Sequence, residues 1–100
     1  MTKDEFLTTL YDIAEGSGAV SYSFDVPPVY TKLWNHLDWA RWVFNHGKFN
    51  FEKDGYKFYI DEIHEFPEHT KVTVYRVVNG AKFYQDLEPK EILEAVKCTK

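Results

Sequence analysis

Apolar positions along the chain recur first at helical and then at strand spacing. Phe6, Leu7, Leu10, Tyr11, Ile13 and Ala14 follow a three-to-four-residue period, and Thr2 followed by Glu5 forms a capping-box pattern in front of them. The spacing predicts a first helix over Lys3 to Glu15, ended by Gly16. After the loop Gly16-Ser17-Gly18, the segment Ala19 to Phe24 has the composition of a short strand but alternates imperfectly, and the expected sheet is built without it. Asp25 before Pro27-Pro28 suits a helix start, and Tyr30, Leu33, Trp34, Leu37, Ala40 and Phe44 fall on one stripe before Asn45-His46-Gly47. A second helix is expected over Pro28 to Asn45.

The pattern then changes to a period of two. Asp54-Gly55 is a two-residue type I′ hairpin signal, and such a turn sets the register of both flanking strands. Counting outward pairs Phe51 with Phe58 and Phe49 with Ile60 on one face, and Glu52 with Lys57 and Lys48 with Asp61 on the other. Each such cross-strand pair is worth about 0.2–1 kcal/mol, and a slipped register would lose all of them. Asn79-Gly80 repeats the signal and places Val72, Val74, Val78 and Phe83 on one face, with Thr73, Tyr75, Lys82 and Tyr84 on the other. Glu62 to Thr70, polar and containing Pro67, reads as the connection between hairpins. Pro89, Ile92, Leu93 and Val96 predict a terminal helix over Pro89 to Lys97. The expectation is one α+β domain over residues 1–100, in which a four-stranded antiparallel meander carries two N-terminal helices and one C-terminal helix.

Composition narrows what this domain can do. Eight Phe, seven Tyr and three Trp in 100 residues supply a core that disordered chains lack. The single cysteine, Cys98, allows neither an internal disulfide nor a multi-cysteine zinc site and fits a reducing cytoplasm. The polar start and the lack of any long apolar run argue against secretion and membrane insertion. A net charge of −4 repels nucleic acid, so direct DNA or RNA binding is not expected.

The sequence carries no signal of catalytic chemistry. No phosphate loop, Gly-x-Ser-x-Gly elbow, His-Glu-x-x-His or calcium-loop pattern is present. His64-Glu65 and Glu68-His69 flank Pro67, which keeps both imidazoles from sharing a helix face, and an exposed acidic connection explains them. His36 and His46 are ten residues apart, about 15 Å along a helix, too far to share a metal. The expectation is a protein with no catalytic residues, no cofactor and no metal.

Two recognition features stand out. Trp39 and Trp42 lie off the main stripe of the second helix, either wrapped by other elements or forming a tryptophan-rich contact surface. Acidic residues also cluster: Asp61, Glu62, Glu65 and Glu68 form one run, and Asp86, Glu88, Glu91 and Glu94 a second. A solvated surface is the ordinary explanation. The functional one is a carboxylate array that occupies a basic groove built for nucleic-acid phosphates.

In size, acidity, aromatic richness and absence of catalytic signatures, the whole chain resembles the small inhibitor proteins that bacteriophages carry against host defences, such as anti-CRISPR proteins. It is similar to a lesser degree to the immunity proteins of bacterial toxins. The resemblance is one of type, and since those proteins share no common fold, no residue role transfers. It implies a stoichiometric protein that binds a nuclease at its basic nucleic-acid groove. The alternative is a small accessory module that forms a homodimer through Trp39 and Trp42.

Overall fold

The computed structural model describes residues 1–16, 18–24 and 31–98, without the side chains of Phe24 and Cys98. Among the described residues, three helices and five strands follow in the order α1 (Lys3–Gly16), β1 (Val20–Phe24), α2 (His36–His46), β2 (Gly47–Lys53), β3 (Tyr56–Glu65), β4 (Thr70–Val78), β5 (Ala81–Leu87) and α3 (Pro89–Cys98). The strands form one antiparallel sheet in sequence order, β1-β2-β3-β4-β5.

The expected four-stranded sheet therefore gains β1 as an edge strand. Val20 lies opposite Phe51 and Tyr22 opposite Phe49, so β1 adds Val20 to the core side through partners that sequence pattern cannot reveal. It also separates α1 from α2, so the chain does not open with two consecutive helices.

The second helix is shorter than expected. Its predicted start at Pro28 and the stripe position Tyr30 lie outside the described residues, but Thr31 to Asn35 are described and are not helical. Asn35 caps α2 instead: its side chain accepts from the Asp38 N–H at 2.9 Å, and its own N–H donates to Asp38 at 3.1 Å. This reciprocal pair satisfies backbone donors that an earlier start would have used within the helix. Leu33 consequently falls in the preceding turn and is 89% exposed, while Ala40 and Val43 are the buried residues of α2. The α1 cap matches expectation, with the Glu5 N–H donating to Thr2 Oγ1 at 3.1 Å.

The hairpin registers are those the turns specify. Phe51 faces Phe58 and Glu52 faces Lys57, with Asp54 and Gly55 both at positive φ in the turn. Asn79 and Gly80 adopt the same geometry between Val78 and Ala81. The connection Glu62 to Thr70 is mostly strand, however. β3 continues to Glu65, β4 begins at Thr70, and only the turn from Phe66 to His69 separates them. The pairing skips from Ile60 to Glu62, so Asp61 is the extra residue of a bulge. That bulge breaks the period-two alternation and hides the second half of β3 from a pattern reading.

The helices cover one face of the sheet. Phe6, Leu10, Val43, Phe49, Ile60 and Ile92 are fully or almost fully buried between the two layers. α1 and α2 pack together over β1 and β2, whereas α3 packs over β2 and β4. Val78 and Phe83 lie on the expected inner face, yet they are 39% and 52% exposed. The end of the β4–β5 hairpin extends beyond the helical cover.

Candidate partner-binding surface

The outer sheet face carries an aromatic row flanked by lysines. Tyr59 stacks on Tyr75 at 5.3 Å and Tyr75 lies 5.4 Å from Tyr84, so one ring from each of β3, β4 and β5 forms a ladder. Lys48 and Lys82 place their ammonium groups over the Tyr75 ring at 5.7 and 4.8 Å. Tyr75, in the middle of the ladder, is only 7% exposed. Alternation puts these tyrosines on the outer face, but only the sheet order brings β3, β4 and β5 side by side.

Beyond the ladder, parts of the two acidic runs meet. Glu62 lies opposite Thr73, and Thr73 opposite Asp86. The Thr73 hydroxyl donates to Asp86 at 2.9 Å and is 3.2 Å from His64 Nε2, while His64 is 3.4 Å from Glu62. Glu88 follows the last residue of β5 at this same end of the sheet, and Glu68 lies in the β3–β4 turn. Asp61 is compensated by Lys48 at 3.4 Å, an exposed pair of modest energy.

Other members of the runs serve the fold. Glu65 accepts the Lys3 backbone N–H at 3.1 Å, placing a carboxylate at the N-terminus of α1, where the helix dipole favours negative charge. Glu91 accepts the Glu88 N–H at 2.8 Å and completes the start of α3. Glu94 joins Glu91 beside Glu52, Lys53 and Asp54 in a depression between α3 and the β2–β3 turn, away from the Glu62–Asp86 row. The full array expected from sequence is thus divided among three places.

The tryptophans form a separate cluster. Trp34 packs edge-on against Trp39 at 5.0 Å and lies 5.8 Å from Trp42, which stacks on His46 at 3.5 Å. All three tryptophans are half-buried, so much of their surface is occupied within the domain. Trp34, assigned by spacing to the stripe of the second helix, joins this cluster because it precedes the helix.

A third polar group ties α1 to the rest of the domain. The Tyr22 hydroxyl donates to Glu15, and this bond, followed by burial and the charge of Glu15, pushes the phenol well above its ordinary range. Burial, then Glu15, also raises Tyr11, whose ring lies 5.8 Å from that of Tyr22. His36 Nδ1 contacts Asp12 at 2.9 Å, and the Arg41 guanidinium donates to Asp4 at 2.7 Å, so two polar contacts clip α2 to α1. Among the described residues no three His, Cys, Asp or Glu side chains converge as metal ligands would, and no helix is long and apolar enough to cross a membrane.

Comparison of the chain with known protein families, with curated proteins and with solved structures finds no match.

Proposed function

We propose that the chain is a non-enzymatic binding protein that inhibits a protein partner, with the carboxylates at the β3–β4 turn end of the sheet engaging a basic groove. The partner class that fits is a nuclease whose Arg and Lys residues otherwise hold nucleic-acid phosphates, as anti-CRISPR-type inhibitors target. The observation that carries the reading is the row Glu62, His64, Thr73 and Asp86, where two acidic runs distant in sequence meet across hydrogen bonds from His64 through Thr73 to Asp86, with Glu62 3.4 Å from His64. Strands on a rigid core hold these carboxylates in place, which lowers the ordering cost of binding. Glu68 and Glu88 extend the negative surface and have exposed side chains.

The test is a titration of the protein against purified RNA-guided nucleases, read by displacement of a labelled target duplex. Stoichiometric displacement at micromolar concentration supports the reading. Failure to bind any nuclease in such a panel would remove it.

A further inference from the structure

We infer that strand β5 is the dimerisation edge of this protein, pairing antiparallel with β5 of a second copy across a two-fold axis at Tyr84. The inference goes beyond the acidic-surface reading and shares with it the single residue Asp86, while Glu62, Glu68 and Glu88 take no part in the pairing. β5 is the last strand of the sheet, and Ala81 to Asp86 are all exposed. α3 sits back over β2 and β4, and the pairing with β4 is unbroken from Val72–Leu87 to Val78–Ala81, so no bulge twists the edge away.

The hydrogen-bonding parity of the free edge follows from the turn. In a two-residue hairpin the flanking residues, here Val78 and Ala81, bond to each other, and bonding direction alternates along an antiparallel strand. Ala81, Phe83, Gln85 and Leu87 therefore direct their backbone groups to β4. Lys82, Tyr84 and Asp86 direct theirs outward. Centring a second β5 on Tyr84 aligns all three outward positions, Tyr84 with Tyr84 of the other copy and Lys82 with its Asp86, twice over.

That register is the one the side chains select. Both Lys82–Asp86 pairs bring opposite charges face to face, and such pairs stabilise a sheet whereas like charges oppose it. The two Tyr84 rings meet on the outer face, joining the Tyr59–Tyr75–Tyr84 ladders of both copies into one row. On the inner face Phe83, 52% exposed, comes to lie against Gln85 of the other copy. A sequence that is its own complement specifies a second copy as the occupant, and an isologous contact closes after two.

Charge swapping tests the pairing. Lys82→Asp and Asp86→Lys should each weaken self-association by about tenfold or more, because each homodimer then opposes two like-charged pairs. Their equimolar mixture should recover twice the chain mass in sedimentation, since every facing pair is again opposite in sign. Trp39→Ala with Trp42→Ala should leave the dimer intact. In the wild type, amide exchange at Lys82, Tyr84 and Asp86 should slow as concentration rises, while Phe83 and Gln85 stay protected throughout. A wild type that remains monomeric at about 200 µM would overturn the inference, as would a mixture of the two folded variants that stays monomeric or a dimer whose exchange at these three amides is unchanged.

Discussion

Ile60 and Ile63 are three residues apart on β3 and yet both turn into the core, 1% and 8% exposed, because Asp61 is the extra residue of a bulge. In an unbroken strand, positions an odd number apart face opposite ways. The bulge therefore permits Ile63 to lie opposite Val72 on the buried side.

Ile63→Ala should accordingly destabilise the domain by about 2–4 kcal/mol in urea unfolding, as a buried truncation does. Were Ile63 in an exposed connection, the loss would stay below about 0.5 kcal/mol.

Two phenylalanines on the same sheet face should behave differently. Phe51 is 2% exposed and stacks on Phe58, whereas Phe83 is 52% exposed near the end of its hairpin. Phe51→Ala should cost about 3–5 kcal/mol. Phe83→Ala should cost less than about 1 kcal/mol in the monomer. Equal losses would mean that the helices cover the hairpin end as well.

Asn35→Ala should remove about 1 kcal/mol by deleting the cap of α2. Far-UV circular dichroism during urea unfolding measures it. No change would indicate that the helix starts earlier, as its apolar stripe alone suggests.

These contrasts mark what was legible in the chain. Asp54-Gly55 and Asn79-Gly80 announce their turns locally, so both registers follow by counting. Asn35 and Asp38 form an equally local signal, but Pro27-Pro28 offers a competing start and the longer apolar stripe favours it. β1 and the bulged half of β3 depend on distant partners, Phe51 and Phe49 for β1 and Val72 for Ile63. The acidic runs were visible as composition. That Glu65 serves α1 and Glu91 serves α3 depends on hydrogen bonds that no run of acidic letters reveals.

Alkaline pH should weaken the fold through Tyr22. Its phenol is raised above the ordinary value of 10.0 chiefly by the hydrogen bond to Glu15, then by burial. A group whose pKa rises on folding contributes fully below its unfolded value, and the contribution is lost as pH climbs through the folded value. Stability should therefore fall as pH rises above 10.0, and Tyr22→Phe should flatten part of that fall. Urea midpoints at neutral and alkaline pH give the comparison, and a wild type that gains stability on alkalinisation has the opposite sign.

The most direct test is the salt dependence of affinity for a captured nuclease, measured for the wild type and for a variant carrying Glu62→Lys and Glu68→Lys. Glu65 is left unchanged because it holds the start of α1. The variant should keep its unfolding midpoint, lose at least about tenfold in affinity and show a shallower salt slope. Equal affinity and equal slope in a folded variant would contradict the acidic-surface reading.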